Sequence, residues 1–395
     1  MSGFDRETGS SPEAGLTWGL AMAIETFRNR PTRALISLGN LANNFAIARS
    51  LIAPNVKIMG VVKANAYGHG ILEVSRALLS LGAHSLGVAF LEEGIYLRQN
   101  GITAPILVLG AINADQVPEF LAHDIAITSS SVDKSRLISA TAVAMGKTAQ
   151  VHLKIDTGME RIGVHWYNAD AFIDKTLALP GIAVDGVFSH LAKADTDKDF
   201  TLEQIARFTA IVDRMDRSGR LPPLVHLANS EGVIQYPSSH FNLVRPGIML
   251  YGYASQKVFG ERRLRPVLSL LTKVAFFKVV AEGAGISYNH TAHASRQTRV
   301  VTLPVGYGDG YNRLLSNRGE VVIRGVRHKV AGNVCMDQTM VDIGPDGTAY
   351  NGDDVLLFGE HDGHAVALES LCAAIGTIPY EVLCMIADRV PRIYV

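Results

Sequence analysis

The feature that most limits what this chain can fold into is a repeated alternation of short apolar runs with stretches of helical spacing. The runs Val56–Val62, Ser85–Ala89, Pro105–Leu109, Ile125–Thr128, Gln150–Ile155, Ile182–Phe188, Leu224–Leu227 and Asn242–Arg245 read as strands. Between them, Ile71–Leu81, Asp115–Ala122, Lys134–Met145, Ala169–Leu177 and Leu202–Arg217 carry apolar residues at three-to-four spacing and read as helices. Strands that alternate with helices are parallel, because the chain must return along the sheet before the next strand begins. Eight such strands in about 210 residues predict a (β/α)8 TIM-type barrel; an open doubly wound sheet is the alternative, since periodicity does not report closure. Upstream, Arg33–Leu38 reads as a further strand, Gly39 as a turn, and Asn40–Ile52 as a helix with Asn40 as its N-cap.

The texture changes near Pro266. Val267–Val280 is rich in β-branched and aromatic residues, and short strands follow at Arg299–Pro304, Glu320–Arg324, Gln338–Asp342 and Val355–Gly359, punctuated by turn signals at Pro345-Asp346-Gly347 and Asn351-Gly352. One short helix, Leu368–Ile375, precedes the final strand. The expected organisation is a polar and flexible N-terminal extension over residues 1–30, a barrel over 31–266 and a mostly β domain over 267–395.

Lys+Arg and Asp+Glu are both 37, so the chain lacks the basic excess that marks a nucleic-acid or membrane-surface binder. The three cysteines, Cys335, Cys372 and Cys384, show no zinc spacing and no C-x-x-C pair, which predicts no metal and a reducing, cytoplasmic setting. No apolar run reaches the ~20 residues of a membrane helix. Ala14–Ile24 is mildly apolar, but the acidic residues before it do not suit a secretory signal, so export is the lesser reading.

In a barrel, strand ends present the chemistry. The first such end reads Val61-Val62-Lys63-Ala64-Asn65-Ala66-Tyr67-Gly68-His69-Gly70. A lysine closing an apolar strand is partly desolvated, which lowers its pKa and favours Schiff-base chemistry, although taken alone Lys63 reads as an ordinary surface lysine. The stretch Lys63–Gly70 resembles the cofactor-binding signature of the alanine racemase family, fold-type III enzymes that use pyridoxal 5′-phosphate (PLP). Further blocks resemble that family in its order: Lys154-Ile-Asp-Thr-Gly-Met-Glu-Arg161, His226-Leu-Ala-Asn229-Ser230, Arg245-Pro-Gly247-Ile248, Ile286-Ser287-Tyr288, Gly306-Tyr307-Gly-Asp309-Gly310, Cys335-Met336-Asp337 and Ile378-Pro379-Tyr380. The resemblance spans roughly residues 31–395.

The resemblance implies a PLP-dependent interconversion of L- and D-alanine that supplies D-alanine for peptidoglycan. It assigns strand 33–38 to the β domain, and implies a head-to-tail homodimer in which each active site takes residues from the partner. Lys63 would hold PLP and act as one acid/base group, and Tyr288 from the other subunit would act on the opposite face of Cα. A phenol near pKa ~10 needs positive charge beside it to work as a base, and Arg161 is the source the resemblance suggests. Arg245 would face the cofactor's pyridine nitrogen and His190 would hydrogen-bond that arginine. Tyr67, Ser230, Gly247, Ile248 and Tyr380 would cradle the phosphate, with backbone amides at a helix start serving as donors. Arg161 and Met336 would bind the substrate, Asp337 and Tyr307 would support it, and Lys154 occupies the position of a carbamylated lysine in many relatives.

Departures are few. Asn289-His290 follows Tyr288 where relatives commonly have Gly and a variable residue, and Ser189 stands where Thr is common. The run Gly306–Gly310 suggests a nucleotide loop but lacks the third glycine and the acidic residue of a βαβ unit, so it reads as a turn. A serine or broad-specificity racemase, a basic-amino-acid decarboxylase (disfavoured because no Gly-Gly-Gly occurs) and a non-catalytic PLP carrier are the competing readings.

Overall fold

The computed structural model describes residues 29–395, so almost all of the expected extension over 1–30 lies outside the described residues. The chain divides into two units. The first comprises residues 36–268 with 379–384 and 394–395. Its strands Lys57–Val61, Ser85–Val88, Ile106–Val108, Ile127–Ser129, Ala149–Asp156, Ile182–Phe188, Leu224–His226 and Leu243–Val244 pair in parallel, and the last closes on the first through Leu243 opposite Lys57. The remaining gap, between the third and fourth strands, is bridged by Leu107 opposite Ala126, with Ala126 N–H donating to Ile106 O at 2.9 Å. That bridge excludes the open doubly wound alternative: this is an eight-stranded parallel barrel.

Inside it, Met59, Leu107, Leu224 and Leu243 meet in one apolar cluster, the filled core expected of a barrel rather than a pore. The outer helices pack by the same logic. Lys198–Arg217 buries Ile205, Phe208, Ile211, Val212 and Met215 at helical spacing. Each such side chain contributes about 1.5–3 kcal/mol on burial.

The local differences from the sequence reading have physical reasons. The first helix is Leu38–Ser50, and its cap is Ser37, whose Oγ accepts from Asn40 N–H at 3.1 Å; Asn40 lies inside the first turn and Gly39 is helical. Helix Leu91–Gln99 was not legible because Gly94 and its charged residues dilute the apolar period. Gly94 packs so closely that a Cβ there would sit 2.8 Å from Ile125 Cδ1. The start of the expected helix Asp115–Ala122 is a 3-10 turn, Ala114–Gln116, that leads into Val117–Ala122 with Pro118 near its start.

The second unit comprises residues 29–35, 269–378 and 385–393. Its ten-stranded sheet runs, in spatial order, Phe276–Val280, Thr298–Leu303, Thr339–Gly344, Val326–Val330, Glu320–Ile323, Asp354–His361, Leu268–Lys273, Arg33–Ile36 and Arg392–Tyr394, with His364–Val366 paired to Asp354–His361. Its neighbouring strands are antiparallel across the pairings from Phe276 to Leu268. Two short helices lie near the C-terminus rather than the one expected. Gly376, at φ +74°, ends Leu368–Ile375, and Pro379 opens Pro379–Cys384. Among the described residues no helix is long and apolar enough to cross a membrane.

Candidate active site

Lys63 follows the first barrel strand and opens a turn of unusual hand. Ala64, Asn65, Ala66 and Tyr67 all have φ between +52° and +54°, and Gly68 follows at +79°. Left-handed backbone costs an L-residue roughly 1–2 kcal/mol, so four in succession persist only where their surroundings hold them. Within the turn, Ala66 N–H donates to Val62 O (2.8 Å) and Gly68 N–H to Ala64 O (3.0 Å). Asn65 Oδ1 then accepts from Ile71 N–H at 2.8 Å, tying the turn to helix Ile71–Ser80. Gly68 admits no side chain: besides its φ, a Cβ would run into Leu383 O.

The turn delivers Lys63 into a pocket lined by Val61, Lys63, Tyr67, Leu109, Lys154, Arg161, Phe188, His190, Asn229, Ser230, Arg245, Gly247, Ile248 and Tyr380. Four of these side chains are Lys or Arg and none is a carboxylate. Burial lowers the Lys63 amine, Arg161 lowers it further, and the Glu93 carboxylate opposes both.

Arg245 is 3% exposed and meets four acceptors. It donates to His226 Nδ1 (2.7 Å), Ser189 O (2.7 Å), Leu227 O (3.0 Å) and His190 Nδ1 (3.3 Å). Burial brings it down to about 9, which still leaves it charged at neutral pH. Burial and that charge hold His190 and His226 well below the usual histidine range, so both are neutral acceptors. Because His226 Nδ1 accepts from Arg245, its proton sits on Nε2, which faces His152 Nδ1 at 2.9 Å. Buried with it, His152 is pushed down to about 3.

Lys154, 3% exposed inside strand Ala149–Asp156, donates to Ile155 O at 2.9 Å and lies 5.3 Å from the Phe188 ring centroid. Burial drags its amine down to about 7, against the pull of Asp156. Arg161 is carried by a loop that folds around Asp156, whose carboxylate accepts from Gly158, Met159 and Arg161 N–H at 2.8, 2.9 and 3.3 Å.

A separate group of hydroxyls and amides gathers around Gly247. Ser230 Oγ accepts from Gly247 and Met249 N–H at 3.0 and 3.2 Å. A Cβ at Gly247 would come within 2.6 Å of the Tyr67 hydroxyl, whose ring lies 5.9 Å from that of Tyr380. Burial raises both phenols, Tyr380 to about 12, so both keep their protons.

The other predicted residues line a pocket of the β unit: Tyr288, Tyr307, Met336 and Asp337, with Asn289 and His290. Tyr288 is 72% exposed and flanked by strained backbone, with Ser287, Asn289 and His290 at φ +65°, +61° and +46°. Asn333 Nδ2 pins the Tyr288 carbonyl at 2.8 Å. The run Gly306–Gly310 is a 3-10 turn, as read, with Gly308 N–H donating to Met336 O at 2.9 Å. Arg389 donates to Asp309 and Asp337, both at 2.7 Å, and so braces the Met336 loop. The structure thus brings ten predicted residues to the barrel pocket and four to the β unit.

Three contributors escaped the sequence reading: His152, Arg389 and Glu93. The first two are lone residues in a strand and a loop and carry no local signal. Glu93 does carry one, standing in the first turn of a helix where an acid caps the backbone.

A closed parallel barrel with a desolvated lysine at its first strand end and an anion-accepting pocket, joined to a β unit, defines a class of lysine-centred barrel enzymes. Comparison with known proteins narrows it. Residues 36–255 match the family model "Alanine racemase, N-terminal domain", and residues 267–394 match "Alanine racemase, C-terminal domain". The chain is 42% identical over 369 residues to alanine racemase 2 of Caldanaerobacter subterraneus subsp. tengcongensis, covering 93% of this chain and 95% of that protein. It is 41% identical over 372 residues to the alanine racemase of Desulforamulus reducens, covering 92% and 99%. The solved alanine racemase of Clostridium difficile 630 superposes with a TM-score of 0.87 at 38% identity, covering 92% of this chain and 96% of that one. This chain belongs to the alanine racemase family.

Proposed function

We propose that the protein interconverts L- and D-alanine with PLP, in a two-base reaction that supplies D-alanine for peptidoglycan in the cytoplasm. The observation that carries this reading is the placement of the Lys63 amine, lowered by burial, in a pocket that also holds Lys154, Arg161 and Arg245 and no carboxylate. Such a pocket suits a ligand that presents a phosphate and a carboxylate. The residues present fit PLP: Lys63 would hold its carbonyl carbon, Ser230, Tyr67, Tyr380 and the amides of Gly247 and Ile248 its phosphate, and Arg245 its ring nitrogen. When bound, PLP draws electron density from the amino acid and acidifies its Cα–H.

The chain's own residues supply the rest. A racemase must remove the Cα proton on one face and return one on the other, which takes two groups of opposite approach. Lys63 is one, already biased toward its neutral, proton-accepting form by burial. Tyr288 of the partner is the other, and Arg161 is the cation that stabilises its phenolate. Arg245 would face the cofactor's ring nitrogen as a charged guanidinium, which does not readily give up a proton. His190 keeps Arg245 in place. Met336, with Asp337 and Tyr307 in support, receives the substrate carboxylate.

With its pKa at about 7, the Lys154 amine is roughly one-tenth neutral at pH 6 and nine-tenths neutral at pH 8. A neutral amine attacks carbon dioxide and gives up one N–H proton to water, and the resulting carbamate would turn a cation beside Arg161 into an anion that orients it. ¹³C-bicarbonate should therefore give a protein carbamate resonance that strengthens from pH 6 to pH 8 and is absent in Lys154→Met.

Loss of the Cα proton signal in D₂O, followed by ¹H NMR on L-alanine and on L-serine with added PLP, tests the function. Fast exchange on alanine with optical rotation falling to zero is expected. Equal exchange on serine would shift the assignment to a broad-specificity racemase, and none on either substrate would overturn it.

A further inference from the structure

Glu93 lies in the first turn of helix Leu91–Gln99, on the chain that leaves the second barrel strand, yet half of its carboxylate serves a different loop. Oε2 accepts from Ala89 and Phe90 N–H at 2.8 and 3.4 Å, which is the ordinary work of an acid at a helix start. Oε1 accepts from Ala64 N–H at 2.6 Å and Asn65 N–H at 3.4 Å, residues 29 and 28 positions away. These are the leading amides of the left-handed turn that carries Lys63. The bonds inside that turn begin at Ala66 N–H, so its first donors have no acceptor within it. A neutral acceptor would satisfy them less well, because a hydrogen bond to an ionised oxygen is about twice as strong as one to a neutral oxygen.

We infer that Glu93 is a positioning residue for Lys63: its carboxylate ties the exits of the first and second barrel strands together and holds the left-handed turn that aims the lysine. This rests on the reading of Lys63 as the PLP lysine. An ordinary helix cap explains Oε2 and leaves Oε1 without a reason to face Ala64. The turn has no other charged anchor among the bonds described: Asn65 Oδ1 secures its far end, and Gly68 relieves strain only at its close. Glu93 also supplies the negative charge that opposes Arg161 and burial at the Lys63 amine.

The test compares full-length wild type with Glu93→Gln, which keeps size and one oxygen acceptor, and with Glu93→Ala. In cofactor-free protein, hydrogen exchange across residues 63–68 should quicken about tenfold in Glu93→Gln, as expected when backbone donors exchange a charged acceptor for a weaker neutral one. With PLP added, the pH midpoint of the lysine-linked visible absorbance should move down in both variants, because a negative charge near Lys63 is gone. For alanine turnover, kcat should fall about tenfold or more with KM changed less than about threefold. Unchanged exchange together with an unchanged midpoint in Glu93→Gln would overturn the proposal, even if activity fell through loss of folded protein. If Glu93→Ala does not fold, Glu93→Gln decides alone. A wild type without lysine-linked absorbance would refute the PLP reading instead, and the exchange measurement would still report whether Glu93 holds the turn.

Discussion

Lys63 shows how much a single residue type leaves undecided. An apolar strand followed by lysine suggests a desolvated amine but taken alone does not separate it from a surface lysine, and the charges acting on it, Arg161 from a loop and Glu93 from the first turn of a helix, come from distant positions in the chain. Lys63→Ala is expected to abolish covalent PLP attachment, so borohydride reduction should leave no cofactor mass on the variant; retained label would place the linkage on another lysine. The buried histidines make a second prediction at this scale. His152, His190 and His226 have depressed pKa values in the folded protein, whereas an unfolded histidine titrates near ~6.5. Below that pH the unfolded chain takes up protons that the folded one refuses, so stability falls as pH falls, by up to roughly 1.4 kcal/mol per pH unit for each histidine. The urea midpoint should drop between pH 6.5 and 5.5. A flat midpoint over that interval would mean that the three rings are charged in the folded state.

Among the elements, strands proved more readable than turns. All eight barrel strands were found because a parallel strand buried on both faces is a nearly continuous apolar run, and the short length of each run sets it apart from a buried helix. Helix Leu91–Gln99 was missed because its packing depends on a glycine, which contributes nothing to an apolar period. The left-handed turn at Ala64–Tyr67 was invisible, since none of Ala, Asn, Ala and Tyr announces positive φ as glycine does; only Gly68 hints at it. Gly68→Ala should therefore cost more than an ordinary glycine substitution, by about 2 kcal/mol or more, because it adds a clash with Leu383 O to an unfavourable φ. A thermal scan beside Gly82→Ala, where the added Cβ meets nothing within 4 Å, separates the clash from the φ effect. Equal losses at the two positions would show that the turn yields freely.

At the scale of the whole molecule, the proposed sharing of sites between subunits has an arithmetic consequence. Lys63→Ala and Tyr288→Phe chains should each form inactive homodimers for L-alanine turnover. If subunits are mixed and allowed to exchange, half the dimers are mixed, and each has one site with both wild-type residues, so activity should recover to about a quarter of wild type. No recovery after verified exchange would mean that Lys63 and Tyr288 act from the same chain. The sequence by itself determined the order of elements, the change of texture near Pro266 and the identity of ten of the fourteen residues that line the barrel pocket. Those features are written in local periodicity and contiguous motifs, and they survive whatever the rest of the chain does. Only the tertiary structure decided that the barrel closes, through Leu107 and Ala126, and that Arg245, His226 and His152 form one chain of hydrogen bonds. It alone decided that burial lowers the amines of Lys63 and Lys154, and that Glu93 reaches the turn beside Lys63. Closure, burial and charge proximity depend on distances between residues far apart in the chain, and a one-dimensional pattern carries no such distances.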